Sequence, residues 1–475
     1  MNSVAIVGGG ITGLTAAFRL RRMKVPVVLY EASGRVGGVI QSVQRDGYLA
    51  EFGPNTILET SPTIASLIRD LGLEAERLYS DPCAAQRFIV RDSRPVPVPA
   101  SPPGFFTSRL FSASAKWQLL KEPFVAPAPP DVEETVAALV LRRLGREFLD
   151  YAINPLVAGI YAGDPARLSV KQAFPKLHAL EQRYGSLIKG QIFGARERKR
   201  RAEVSKQNAP KLSFRDGLQT LIDRLRRELG DAVRLQATVT RLRESPEGWT
   251  LTVRDNGREE LRQHGAVLLA APAYKLADIE LHAAADLSLR PLSRVEYPPV
   301  ASVVLGFRRA DVAHPVQGFG MLIPQVEGFR ILGTIFSSSL FPNRAPAGHV
   351  TLTSYVGGTR APELAMRSSD ELVDLTLQDL RTILGVTGPP TFRHHVVYPR
   401  AIPQYVVGYG RLRDLMSEWE ARAPGLFLAG HYRDGISLGD SMISGHDVAE
   451  RIARYVERCP EPESGTGGGT GASLR

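Results

Sequence analysis

The chain has 475 residues, 43% of them hydrophobic and 23% charged, which suits a folded chain with room for two or three domains and excludes a disordered one. Lys and Arg number 59 against 49 Asp and Glu, and the net charge of +10 admits nucleic acid, an anionic membrane surface or an acidic substrate as partner. Its two cysteines, Cys83 and Cys459, are too few for a disulfide framework or a metal site, so free thiols in a reducing compartment and no metal are expected.

In chain order, Val4-Ala5-Ile6-Val7 is a short β-branched run that reads as a buried strand. It meets Gly8-Gly9-Gly10-Ile11-Thr12-Gly13, a G-x-G-x-x-G that opens a helical pattern from Thr12 to about Met23. Val27-Val28-Leu29-Tyr30 reads as a second buried strand and ends on Glu31. In this pattern Gly8 allows a tight turn, Gly10 lets a pyrophosphate approach the backbone, and Gly13 allows close helix–strand packing. The helix N-terminus offers unpaired N–H groups and partial positive charge, and Glu31 can accept hydrogen bonds from a ribose. Three glycines alone are weak evidence; strand, glycines, helix, strand and acid in that order are strong evidence for a dinucleotide. Next comes Ala32-Ser33-Gly34-Arg35-Val36-Gly37-Gly38, an E-x-x-x-R-x-G-G run counted from Glu31, in which Arg35 can pair with a phosphate and the glycine pair lets backbone pass a large flat ligand. This run resembles the FAD-binding motif of the flavin amine oxidase superfamily and favours FAD over NAD.

Gly53-Pro54 forces a turn that bends residues 48–56 back over the cofactor. A helix is expected over 61–71, a strand over 86–90 and a proline-punctuated extended run over 94–99. From about 102 to 207 the texture is mainly helical, with Asp131 expected to cap a helix running through Val136. The basic run 196–201 (RERKRR) and Lys206 read first as a solvated face or mobile loop, and second as a contact with an anionic membrane or partner. No aromatic residues interleave with it, which argues against nucleic acid. A helix over 216–229 and strands over 233–242, 249–253 and 266–270 return to a sheet-forming texture, so the cofactor domain is expected to be discontinuous. Strands over 300–307, 319–323, 331–335 and 350–356 predict a second, largely antiparallel sheet, followed by an amphipathic helix over 369–384. A buried strand over 426–430, a closing helix over 440–456 and a disordered tail over 460–475 complete the chain.

The expected fold class is α/β: a Rossmann-like FAD-binding domain (1–85, 208–285 and 395–457), a second α+β substrate domain with a mixed or antiparallel sheet (86–101 and 286–394), a helical, membrane-binding-type subdomain (102–207) and a tail (458–475). No apolar run approaches the roughly 18 residues of a membrane span, and the first strand starts too early to leave room for a targeting segment. A cytoplasmic bacterial protein, at most peripheral to the inner face of the cell membrane, is expected.

Six segments, EFGPNT (51–56), RFIVRDSRPVPVP (87–99), ILGTIFSSSLFPNRAP (331–346), YVGG (355–358), YPRAIPQY (398–405) and GLFLAGHYRDGISLGDS (425–441), resemble the protoporphyrinogen oxidase family, and the likeness covers nearly all of the chain except the tail. The resemblance implies non-covalent FAD held by Gly8, Gly9, Gly10, Ile11, Thr12, Gly13, Glu31, Ala32, Arg35 and Gly38, with Gly53, Pro54, Asn55 and Thr56 near the isoalloxazine. It further implies a backbone contact of Val239 to the adenine and a closing flavin loop at Gly430, Ile436, Ser437 and Leu438. For the substrate it implies that Arg87 holds a propionate, that Asn55 faces the same pocket, and that Leu322, Ile335 and Tyr355 sandwich a tetrapyrrole. The family often has leucine and phenylalanine at the last two positions, so Ile335 and Tyr355 are departures.

The implied reaction is the oxygen-dependent six-electron oxidation of protoporphyrinogen IX to protoporphyrin IX, with hydride passing to flavin N5 and hydrogen peroxide as by-product. No side-chain acid or base is required, and His178, His394, His395, His431 and His446 are read as structural or surface residues. Oxidation of coproporphyrinogen III is the nearest alternative. An amine oxidase with covalent flavin is disfavoured because no cysteine lies near the closing loop. A monomer or homodimer is expected; a membrane contact and a ferrochelatase partner stay open.

Overall fold

The computed structural model describes residues 3–129, 132–200, 209–255, 257–284 and 286–458. Its centre is a five-stranded parallel sheet in the order Val233–Arg234, Val27–Tyr30, Val4–Val7, Ala266–Leu269 and Leu426–Leu428, so strands far apart in the chain feed one sheet. Apart from the edge strand Val233–Arg234, these strands are apolar along their length because both faces are covered. Val4, Ile6, Leu29 and Leu268 face the helices Ile11–Arg22, Gln219–Leu229 and Leu438–Arg458. Ala5, Val7, Val267 and Leu269 face the apolar side of a four-stranded sheet through Val239, Leu242 and Leu251.

A seven-stranded sheet runs in the order Phe392–Tyr398, Val300–Arg308, His349–Gly357, Ile331–Ile335, Gly320–Leu322, Arg87–Arg91 and Arg94–Pro97. Its pairings are antiparallel except that of Gly320–Leu322 with Arg87–Arg91. One face carries Val303, Leu305, Met321 and Ile331 and is covered by Leu372, Leu380 and Ile383 of the helix Ser369–Leu384. A capping box between Ser368 and Glu371 starts that helix and Gly385 ends it. The opposite face is the one that matters for function.

The segment between the strands Arg94–Pro97 and Lys211–Phe214 is built from short helices. The helix expected from Asp131 instead begins at Val136, because Thr135 Oγ1 accepts the Ala138 N–H at 3.0 Å and so caps it; residues 132–134 are not helical, and Asp131 lies outside the described residues. Among these helices lies a fully buried ion cluster: Arg143 meets Glu122 and Glu181, each at 2.6 Å. Glu122 also accepts the N–H of Leu187 at 2.9 Å, fixing the start of the helix Leu187–Arg200. That helix carries the first part of the basic run; Arg201, Lys206 and the 459–475 tail lie outside the described residues.

Candidate active site

The cofactor-facing edge begins at the turn between the strand Val4–Val7 and the helix Ile11–Arg22. Gly8 adopts φ +111°, where a side chain would be strained, and a Cβ there would lie 2.7 Å from the Ala271 nitrogen. A Cβ at Gly13 would lie 2.0 Å from the Gly8 carbonyl oxygen, which sets how closely helix and strand pack. Gly10 is different: a Cβ there would meet nothing within 4 Å. Gly10 is also the N-cap of the helix and no side chain caps it, so the first-turn N–H groups, from Ile11 to Gly13, head an open space. Glu31 accepts the Gly9 N–H at 2.7 Å and the Ser33 N–H, beyond Ala32, at 2.8 Å, and each carboxylate oxygen keeps a lone pair for a ribose hydroxyl.

Arg35 donates to the carbonyls of Val36 at 3.1 Å, Ile40 at 3.2 Å and Gly38 at 2.5 Å, so its guanidinium shapes the glycine loop beside the cofactor turn. That loop brings Gly38 against Gly10, with a Cβ at Gly38 3.6 Å from the Gly10 Cα. Val239 is buried at a β-bulge, two residues after Ala237, whose N–H donates to the Glu31 carbonyl at 3.0 Å. The closing loop completes the edge. Thr12 Oγ1 donates to the Ser441 carbonyl at 3.1 Å, and Gly430 lies over Thr12, its would-be Cβ 3.6 Å from Oγ1. Ser437 Oγ, next to Ile436, accepts the Asp440 N–H at 3.1 Å and starts the helix Leu438–Arg458. Both helix N-termini thus approach the same edge.

The second wall is the face of the seven-stranded sheet turned away from the helix Ser369–Leu384. Gly320 pairs with Arg87 and Ile335, Leu322 pairs with Gly333, and Gly333 pairs with Tyr355. Residues in register or two apart share a face, so Arg87, Leu322, Ile335 and Tyr355 all point to one side. Asn55 reaches that side from the turn after Gly53-Pro54: its Nδ2 donates to the Tyr355 hydroxyl at 2.6 Å. The turn in turn touches the glycine loop, since a Cβ at Gly53 would lie 2.5 Å from the Val39 carbonyl oxygen. A continuous wall therefore runs from the phosphate-type turn through Gly38, Gly53 and Asn55, with Thr56 beyond, to Tyr355. The helix Asn154–Tyr161 bounds the far side, its Gly159 against Leu322 with a would-be Cβ 2.5 Å from Cδ2.

Charge on this face is sparse. The Arg87 guanidinium lies 5.5 Å from the Phe319 ring centroid and has no carboxylate partner among the described residues. Burial lowers its pKa from the usual arginine value, yet it stays cationic. Of the histidines, His431 is pushed down to about 4 by burial and contacts the Tyr297 hydroxyl at 3.2 Å, while His394 stacks on Phe52 at 4.3 Å. Two contributors carry no signal in a one-dimensional reading. Glu51 is buried, accepts from Ser42 Oγ at 2.6 Å and from the Leu218 N–H at 2.9 Å, and burial pushes it up to about 7; it anchors the start of the turn that holds Asn55. Arg360 donates to Asn154 Oδ1 and the Ile323 carbonyl, both at 3.1 Å, and ties the bounding helix to the sheet.

The profile of the family described as flavin-containing amine oxidoreductases matches residues 11–453. The chain belongs to this family. It is an FAD-dependent oxidoreductase. It is 36% identical to protoporphyrinogen oxidase 2 of Arabidopsis thaliana, over 96% of this chain and 94% of the relative. It is 30% identical to coproporphyrinogen III oxidase of Bacillus subtilis, over 95% of this chain and 98% of the relative. A crystal structure from Exiguobacterium, provisionally assigned as a protoporphyrinogen oxidase, superposes with a TM-score of 0.79 at 26% identity, covering 95% of this chain and 99% of that one. FAD fits the residues present: the space before Gly10 and the uncapped first turn suit a pyrophosphate, and Glu31 suits the ribose. No helix among the described residues is long and apolar enough to cross a membrane.

Proposed function

We propose that this oxidoreductase converts a porphyrinogen to the porphyrin, with protoporphyrinogen IX as substrate and oxygen as acceptor. The observation that carries the reading is Arg87: a half-buried cation without an acidic partner among the described residues, on a face otherwise built from Leu322, Ile335 and Tyr355. Such a face suits a flat apolar ring that carries carboxylate arms. Bound FAD would supply hydride acceptance and transfer of the electrons to oxygen. The chain's own residues bind, orient and exclude water. Arg87 fixes the carboxylate edge of the ring, the apolar side chains cover the ring, and the Asn55–Tyr355 contact ties the cofactor-side turn to the substrate-side sheet. No side-chain acid or base is assigned, in keeping with a neutral, hydrogen-bonded His431 and a stacked His394.

The test is aerobic turnover of FAD-loaded protein on protoporphyrinogen IX and coproporphyrinogen III in parallel, read by porphyrin fluorescence above autoxidation. Faster turnover of protoporphyrinogen IX is expected, with Arg87→Ala raising KM about tenfold or more for loss of a charged hydrogen bond. The similarity to the Bacillus subtilis enzyme favours the four-propionate substrate as the second reading, and preference for it would decide the matter that way. Turnover of neither would sink the porphyrinogen assignment.

The same reading divides the chain into an FAD unit (1–85, 208–285 and 395–457), a substrate unit (86–101 and 286–394) and a helical unit (102–207). On the helical unit Trp117, Phe124, Ile192 and Phe193 are exposed, and the basic run follows in sequence, which suits peripheral contact with an anionic membrane face from the cytoplasm. Co-sedimentation with anionic but not zwitterionic vesicles tests that contact. A ferrochelatase that takes up the porphyrin, and a monomeric or homodimeric state, go with the reading.

A further inference from the structure

The strand Lys211–Phe214 lies between Ile57–Leu58 and Arg77–Tyr79 in a small three-stranded sheet. Its side chains alternate: Leu212 and Phe214 enter the core of the cofactor unit, so Lys211 and Ser213 point the other way. Leu78 pairs with Ser213, shares that outward face, and packs against a cluster of Ala84, Leu340 and Phe341 that Phe319 and Ile335 also pack against. Ser213 Oγ accepts from Arg344 Nη2 at 2.8 Å, and Arg344 lies over the Phe341 ring at 5.3 Å. Lys211 therefore stands on the face turned toward the Leu340–Phe341 cluster, against which Phe319 packs, and the Arg87 guanidinium lies 5.5 Å from the Phe319 ring centroid.

Neither cation has an acidic partner among the described residues. Burial lowers the Lys211 pKa, and the positive charge of Arg87 lowers it further, while no carboxylate opposes either effect. Two half-buried like charges held together repel one another, and the repulsion is relieved when anionic groups come between them. Leu58, the pairing partner of Lys211, is three residues beyond Asn55, so the pair stands at the rim of the same site.

We infer that Lys211 and Arg87 form a two-cation clamp in which Arg87 takes one carboxylate of the substrate and Lys211 the second. The inference rests on the porphyrinogen reading and adds a second carboxylate-binding residue to it, so that each of two carboxylate arms meets its own cation. Lys211 is a binding residue that sets how the ring edge is oriented, and it takes no part in bond making or breaking.

The test uses FAD-loaded wild type, Lys211→Met and Lys211→Arg with protoporphyrinogen IX and with its dimethyl ester, whose carboxylates are masked. Lys211→Met keeps the aliphatic stem. It should raise KM for the free diacid about tenfold, as expected for a lost charge-assisted hydrogen bond, with kcat within about twofold. Its KM for the ester should match wild type, and Lys211→Arg should restore most of the diacid KM. Affinity for protoporphyrin IX itself, read by fluorescence quenching without turnover, should fall by a similar factor in Lys211→Met. A diacid KM unchanged in Lys211→Met, or an equal loss on diacid and ester, overturns the clamp while leaving wild-type turnover intact. A wild type that oxidises no porphyrinogen overturns the underlying reading instead. If Lys211→Met loses FAD or melts early, Lys211→Gln carries the same comparison.

Discussion

Asn55 and Tyr355 are 300 positions apart, yet Asn55 Nδ2 donates to the Tyr355 hydroxyl at 2.6 Å and joins the cofactor-side turn to the substrate-side sheet. The tyrosine hydroxyl also lies 3.4 Å from the Gly53 carbonyl oxygen, so one phenol holds the turn at two points. Burial keeps that phenol protonated, its pKa raised well above the usual tyrosine value. Tyr355→Phe keeps the ring and removes both contacts. It should cost about 1 kcal/mol of stability and lower kcat severalfold. Combined with Asn55→Ala in a double-mutant cycle, the pair should show coupling of about 1 kcal/mol. Strict additivity would mean that the contact does not hold the turn.

Gly10 and Gly13 lie in one motif but should fail in different ways. A Cβ at Gly13 collides with the Gly8 carbonyl, so Gly13→Ala should lower the melting temperature of the apoprotein by several degrees. A Cβ at Gly10 meets no protein atom, so Gly10→Ala should leave the apoprotein melt unchanged and weaken FAD binding about tenfold or more. Thermal melts of both apoproteins, with FAD titration, check the contrast. A Gly10→Ala protein with normal FAD affinity would remove the pyrophosphate from that space.

Arg143 is fully buried between Glu122 and Glu181. Arg143→Met leaves Glu122 buried without a cation, while Glu181 keeps Arg142 at 2.8 Å, and the expected cost is about 3 kcal/mol. Chemical denaturation monitored by circular dichroism measures it. A loss below about 1 kcal/mol would show that water reaches the cluster and solvates the acids.

His264 is held between Ser3 Oγ at 2.8 Å and the Tyr30 hydroxyl at 2.9 Å. Burial, helped by the charge of Arg262, pushes its pKa down from 6.5 to about 4. Between those values the unfolded chain binds a proton that the folded chain refuses. Stability from this group is therefore complete above pH 6.5 and is lost as pH falls toward 4, by about 3 kcal/mol at most. His431, also pushed down to about 4, acts with the same sign. Glu51, pushed up from 4.5 to about 7, acts with the opposite sign, its contribution fading as pH rises through that range. His264→Gln should flatten the acid side of a plot of melting temperature against pH. A slope identical to wild type would mean that His264 is not held neutral.

The elements most legible in the sequence are those whose signal is local. Ile331–Ile335 and Ser369–Leu384 begin and end where expected, because apolar runs and capping residues act within one turn or one strand. The strands Arg258–His264 and Phe392–Tyr398 escape a sequence reading: both are edge strands rich in polar residues, and neither shows a clean two-residue alternation. Asp131 looks as good a cap as Thr135 in one dimension, and only the folded backbone shows that Thr135 Oγ1 meets an orphan N–H.

By itself the sequence determined the cofactor turn, since the glycine spacing from Gly8 to Gly13 and the acid at Glu31 act within one strand–helix–strand unit. The family likeness in the sequence also named Arg87, Leu322, Ile335 and Tyr355. Only the tertiary structure decided that these four share one sheet face, that Arg35 donates to three loop carbonyls, and that Lys211 feels the charge of Arg87. The reason is physical. Strand register and the meeting of charges from separate sheets depend on which distant segments pair, and periodicity along the chain carries no information about that choice.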